Sequence, residues 1–155
     1  MRKSTNVYFN KRKNDMGGKY KTGTFFSKKN NSGFVYRSAY EYAYLVKLEK
    51  DDNVVNFIVE PFKIPYLDER GHKHVYIPDI VVLKANGNID LIEIKPKSML
   101  QNARVQRKAS AARAFLKRNH KDAVIEYKFI TEEDIFENYK EYIDLLKTIW
   151  LIKKA

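Results

Sequence analysis

The 155-residue chain contains no cysteine, which excludes a disulfide framework and a thiolate metal site. It has no run of about 18 apolar residues, so no membrane-spanning helix is expected. The N-terminus is charged but lacks the apolar stretch of a secretory signal. No internal repeat or low-complexity tract is visible. Together these absences lead us to expect a soluble, cytoplasmic protein.

Acid is the scarcer charge. Thirty Lys and Arg face 19 Asp and Glu, a net charge of +11. The charges are also segregated. Residues 1–30 hold nine Lys/Arg and one acid, Asp15, and residues 95–121 hold nine Lys/Arg and no acid. Acids gather in 41–93 and 122–144. Segregation of this kind favours a polyanionic partner, DNA above all. A membrane surface is disfavoured because no basic amphipathic anchor is evident. Hydrophobic residues make up 44% and aromatics 14%, enough apolar side chain for a real core in one domain.

Residues 1–35 are basic and punctuated by Gly17, Gly18, Gly23, Asn30, Asn31 and Gly33. They read as an irregular stretch, with a flexible basic arm over 1–19 and a single domain over 20–155. Ser38 followed by Glu41 is a capping-box pattern that opens a helix, with Tyr40, Ala43, Tyr44 and Leu48 at helical spacing. Val54–Tyr66 is extended, Leu67–Lys73 is a hairpin turn, and 101–119 is a helix with a basic face. Val124–Ile130 is a further strand, and a last helix runs from Ile135 to about Thr148. The apolar tail Ile149–Ile152 must dock on the core or on a second copy, which hints at a homodimer. This order predicts an α/β or α+β domain with a mixed central sheet flanked by helices.

The organising stretch is Tyr76–Lys97, two apolar strands around a tight turn. It carries Asp79, Glu93 and Lys95, three ionisable groups that are costly to bury without partners. Side chains alternate faces along a strand, so Glu93 and Lys95 share one. A two-residue Asn86-Gly87 turn would set Asp79 opposite Ile94, on the wrong face. A three-residue loop, Ala85-Asn86-Gly87 with Gly87 left-handed, sets Lys84 opposite Asn88 and Asp79 opposite Glu93. We adopt the second register. Two carboxylates are hard oxygen ligands suited to Mg²⁺, with Mn²⁺ able to substitute. A lysine beside them supplies positive charge where a phosphorane would develop it.

These residues also carry a resemblance. Tyr20–Phe25, Tyr36-Arg37-Ser38 with Glu41, Ile64-Pro65-Tyr66, Tyr76-Ile77-Pro78-Asp79, Leu91–Lys97 and Ile130-Thr131-Glu132 together resemble the PD-(D/E)xK nuclease superfamily. Within it they are most similar to the head-completion nucleases of tailed phages. The resemblance implies a restriction-endonuclease-like fold and Mg²⁺-dependent DNA cleavage in head completion and packaging. It also implies phage head or portal proteins as partners, in a host cytoplasm or on the virion.

By residue, the resemblance makes Asp79 and Glu93 metal ligands and Lys95 the catalytic lysine. Glu41 would be a helix acid completing the site, beside its capping role. Glu60 would be either a further ligand or a sheet-edge charge. Gln106 and Lys108 depart from the family pattern and are either site residues or a solvated, phosphate-facing surface. Arg37, Lys97, Arg104, Arg107 and Arg113 are the candidate DNA contacts, Arg37 also being a candidate Glu41 partner. His72 and His74 flank a turn and form only a weak metal candidate without a third ligand. Two alternatives stand beside the nuclease of phage heads. One is a non-enzymatic basic DNA-binding or head-assembly factor, and the other is a transposon end-cleaving endonuclease subunit.

Overall fold

The glycine- and asparagine-rich stretch before Tyr36 is a β-hairpin rather than an irregular segment. Strands β1 (Gly23–Ser27) and β2 (Ser32–Tyr36) pair antiparallel, from Gly23 opposite Tyr36 to Ser27 opposite Ser32. The residues read as breakers supply the turn: Asn31 has φ 48°, a left-handed conformation that asparagine tolerates. Gly23 is required for another reason, since a Cβ there would run into the Tyr36 ring. The computed structural model describes residues 22–120 and 124–154, so the basic arm expected at 1–19 lies outside the described residues.

The chain divides into two compact units, residues 1–51 with 133–155 and residues 52–132. In the first, the hairpin leads into α1 (Ala39–Lys50). Ser38 is its N-cap and accepts the Glu41 N–H at 3.1 Å. The Glu41 carboxylate reaches back one residue further than a standard capping box, to the Arg37 N–H at 2.8 Å. Glu49 pins the hairpin turn to α1. Its Oε2 accepts from Ser27 Oγ at 2.7 Å and its Oε1 from the Lys29 N–H at 3.0 Å.

The second unit begins with β3 (Val54–Val59), β4 (Ile64–Leu67) and β5 (Lys73–Tyr76). It continues through β6 (Ile80–Lys84), β7 (Ile89–Ile94), α2 (Ala103–Asn119) and β8 (Ile125–Ile130). The central sheet has the order β3-β6-β7-β8. β3, β6 and β7 run antiparallel and β8 joins parallel to β7, so the sheet is mixed. β4 and β5 form a separate two-stranded ribbon. Ala109, Ala112 and Leu116 of α2 pack with Ile64, Tyr76, Leu91 and Tyr127. Small residues on the helix let it lie close to the sheet. Arg104, Arg113, Lys117 and Arg118 of α2 are exposed, and Asn102 caps its start by accepting the Arg104 and Val105 N–H groups.

After β8 come a single turn, α3 (Glu132–Ile135), and then α4 (Tyr139–Lys154). The expected continuous helix from Ile135 is broken. Asn138 accepts the Glu141 N–H at 2.9 Å, and Glu141 Oε2 accepts the Glu137 N–H at 2.7 Å. That is a second capping box, and it restarts the helix. Tyr40 of α1 packs edge-on against Phe136 and Tyr142. In the apolar tail Ile149 is buried and Leu151 exposed. No helix among the described residues is long and apolar enough to cross a membrane.

Candidate active site

The β6–β7 hairpin adopts the three-residue loop. Ile80 lies opposite Ile92 and Leu83 opposite Ile89. The Lys84 N–H donates to the Asn88 carbonyl at 2.9 Å, the Gly87 N–H returns to the Lys84 carbonyl, and Gly87 has φ 86°. Asp79 and Glu93 each follow one step outward from the Ile80–Ile92 pair. The Asp79 N–H donates at 3.1 Å to the carbonyl of Ile92, the residue already opposite Ile80, so the regular ladder ends there. The charge of Asp79 as well as that of Glu93 reaches the Tyr76 and Tyr127 hydroxyls, so both carboxylates lie beside the tyrosines that pack with Leu91 under α2.

Both acids are buried, Asp79 at 5% and Glu93 at 3% exposure. An isolated charge at such depth would be prohibitive, and each is compensated. Asp79 Oδ2 accepts the Ile94 N–H at 2.7 Å. Glu93 Oε1 accepts from the Tyr76 hydroxyl at 2.7 Å, and Glu93 Oε2 lies 3.5 Å from Lys95 Nζ. Lys95 is held at the end of β7 by its N–H to the Ile130 carbonyl, and its ammonium is half-exposed. Two buried acids and a partly wet amine are therefore brought to one end of the two inner strands of the sheet.

Two residues not anticipated from the sequence join them. Tyr76 ends β5, and Tyr127 sits on β8 beside Leu91. Their hydroxyls are 2.8 Å apart, and Tyr76 passes its proton toward Glu93. Burial first, and then the charge on Glu93, pushes both phenols far above their ordinary range. They remain neutral donors. The sequence signal was present but ambiguous: a tyrosine in an apolar strand needs a partner for its hydroxyl when buried, and nothing local names that partner.

Glu60 follows β3 with φ 52°, a left-handed conformation uncommon for a non-glycine residue, and its N–H donates to the Asp79 carbonyl at 2.8 Å. It braces the backbone of Asp79. Glu41 lies in the other unit, where its carboxylate accepts the Arg37 N–H. Arg37 itself is buried at 1% exposure, which takes its guanidinium off the open cationic surface expected of a phosphate contact. The Gln106 side-chain amide donates to the Leu100 carbonyl at the start of α2. Lys108 Nζ sits 5.5 Å above the Tyr76 ring, and Arg113 lies 5.4 Å over the Tyr127 ring.

Lys97 and Arg104 are exposed, and the Lys97 N–H donates to the Glu132 carboxylate. Arg107 pairs with Glu69 at 2.6 Å. These last two, with Arg104, Asp68 and His74, line a cleft of about 400 Å³ between the β4–β5 turn and the start of α2. There Asp68 organises the turn. It accepts from the Arg70 and His72 N–H groups and contacts the His74 ring at 2.8 Å. The His74 contact leads in pulling the Asp68 carboxyl down to about 2. Among the described residues, no three His, Cys, Asp or Glu side chains group as a metal cage, the His72–His74 turn included.

The family model described as TnsA-like endonuclease N terminal matches residues 51–132. That span coincides with the second compact unit, 52–132, and contains Asp79, Glu93 and Lys95. No curated protein matches the chain.

Proposed function

Because the chain belongs to the TnsA-like endonuclease N-terminal family, with a restriction-endonuclease-like core, we propose that it is a metal-dependent DNA endonuclease working through Asp79, Glu93 and Lys95. The observation that carries the reading is the end of the β6–β7 hairpin, where Asp79 accepts the Ile94 N–H between Glu93 and Lys95 and Lys95 lies 3.5 Å from the Glu93 carboxylate.

The donor set fits a hard divalent ion shared with substrate. Mg²⁺ commonly binds through one or two carboxylates and completes its shell with water and phosphate oxygens. Asp79 and Glu93 would hold it, and Mn²⁺ could replace it. When bound, such an ion polarises the phosphoryl oxygen and lowers the pKa of a coordinated water. The chain's own residues do the rest. The Ile94 N–H and the Tyr76 hydroxyl fix the two carboxylates before substrate arrives. Lys95, being half-exposed, offers its ammonium to the charge that develops on the phosphodiester. Lys97, Arg104, Arg107 and Arg113 supply non-specific attraction for the DNA backbone.

For the biological setting, the family match supports the reading of a transposon end-cleaving endonuclease subunit. A second reading, cleavage during completion of phage heads, draws on Tyr20–Phe25 and Tyr36–Glu41, which lie before the matched span. A non-enzymatic DNA-binding role would not require the acid–acid–lysine trio at all. Incubating plain linear and branched DNA with the protein and Mg²⁺ or Mn²⁺ tests the activity. Cleavage that disappears in Asp79→Ala and Lys95→Ala is the expected result, and DNA binding without cleavage in any divalent ion would favour the non-enzymatic role.

A further inference from the structure

Three neighbouring elements meet at one carboxylate. Tyr76 arrives from the β4–β5 ribbon, Glu93 from the central strand β7 and Tyr127 from its parallel neighbour β8. All three are buried, Tyr76 at 2%, Glu93 at 3% and Tyr127 at 6% exposure. The Tyr76 proton goes to Glu93 Oε1, so the 2.8 Å contact between the hydroxyls is donated by Tyr127. The chain of bonds therefore has one direction, Tyr127 to Tyr76 to Glu93.

Such a chain costs buried polar surface that a phenylalanine pair would not. Two apolar rings could fill the same core without desolvating two hydroxyls and a carboxylate. Nothing in the packing of Ala109, Ala112 and Leu116 against these rings requires the oxygens. What the oxygens achieve is geometric. Glutamate has three side-chain torsions, and a bond to Oε1 fixes the carboxylate plane and leaves Oε2 toward Lys95. The rings are held in turn by the cations of α2, Lys108 over Tyr76 and Arg113 over Tyr127.

We infer that Tyr76 and Tyr127 are positioning residues for Glu93, a directed hydroxyl pair that turns one oxygen of its carboxylate toward a divalent ion. The inference rests on the proposed role of Glu93 as a metal ligand. Partners that orient ligands in this way are typically worth about 10–100-fold in metal affinity.

The test is Mn²⁺ binding to the full chain, followed by electron paramagnetic resonance, with Asp79→Ala as the control that defines the site. Tyr76→Phe is expected to weaken Mn²⁺ binding by about 10–100-fold, and Tyr127→Phe, which keeps the bond to Glu93, by about 2–10-fold. Raising the Mn²⁺ concentration should restore cleavage by Tyr76→Phe, as it would not for a variant that merely loosens the core. Circular dichroism and thermal melting establish that each variant folds. If Tyr76→Phe does not fold, Tyr127→Phe carries the test: reduced Mn²⁺ affinity supports the inference and unchanged affinity overturns it. Wild-type affinity in a folded Tyr76→Phe overturns the inference and leaves the nuclease reading standing. Wild-type protein that binds no more Mn²⁺ than Asp79→Ala overturns the metal reading, and the inference with it.

Discussion

Asp79 accepts the backbone N–H of Ile94 at 2.7 Å, so its carboxylate is tied to the strand that carries Glu93 and Lys95, between those two residues. The bond is charge-assisted and buried, hence of the stronger kind. An amide oxygen could accept the same N–H. Asp79→Asn should therefore fold and bind DNA like the wild type. Its cleavage should fall by more than the about 10–100-fold typical of an outer-shell change. Thermal melting, filter binding and a cleavage time course on one preparation check all three.

Lys95 separates binding from chemistry. Its ammonium is half-exposed and 3.5 Å from Glu93 Oε2. Lys95→Ala should reduce the cleavage rate at saturating DNA by about 10²–10³-fold, the scale of one lost stabiliser of developing charge. Mn²⁺ affinity should change far less than in Asp79→Ala. Single-turnover kinetics beside a metal titration distinguish the two effects.

Gly87 carries the register. With φ at 86°, a side chain there is strained, and Gly87→Ala should cost about 1–2 kcal/mol. A melting temperature a few degrees lower is the expected outcome. Cleavage by the folded fraction should be retained, because the pairing of β6 with β7 is also fixed by the bond of Lys84 to Asn88. A variant that melts normally but cleaves poorly would point to a slipped hairpin.

Glu69 holds Arg107 at 2.6 Å beside exposed Arg104. Glu69→Gln removes a charge that competes with phosphate and should tighten DNA binding at low salt. Arg104→Ala should weaken it and reduce the salt slope of the binding constant by about one. Fluorescence anisotropy across a salt series reads both variants.

Much of this site is legible in the sequence because period-two alternation and one turn glycine determine which side chains share a face. Given the loop Ala85–Gly87, the pairing of Lys84 with Asn88 and of Ile80 with Ile92 follows without reference to the rest of the chain. The capping pair Ser38 and Glu41 is local in the same way. What could not be read is non-local or conformationally ambiguous. Tyr127 lies 51 residues from Tyr76, and only the parallel docking of β8 unites them. The left-handed φ of Glu60 has no sequence signature. The hairpin of β1 and β2 was missed because Asn30, Asn31 and Gly33 mark a turn and an irregular segment equally well. The break after Ile135 was missed because Asn138 and Glu141 lie inside an otherwise helical pattern.

The β4–β5 turn gives a prediction in acid. The Asp68 carboxyl is drawn down to about 2, chiefly by the contact with His74. A depressed carboxylate contributes stability that is fully present above its unfolded value and lost as pH falls through its folded one. The stability difference between wild type and Asp68→Ala should hold at pH 6 and shrink as pH drops from about 4 toward about 2. Denaturant melts at several pH values measure it. A difference constant down to pH 2 would count against the turn assignment.

The central claim is that Asp79, Glu93 and Lys95 act together on a DNA phosphodiester. The most direct measurement is cleavage of a labelled DNA duplex by the full chain, with and without Mg²⁺ or Mn²⁺, alongside Asp79→Ala and Lys95→Ala. The account predicts cleavage that needs the divalent ion and is lost in both folded variants. Cleavage that persists unchanged in either variant, or that proceeds equally in a chelator, would contradict it.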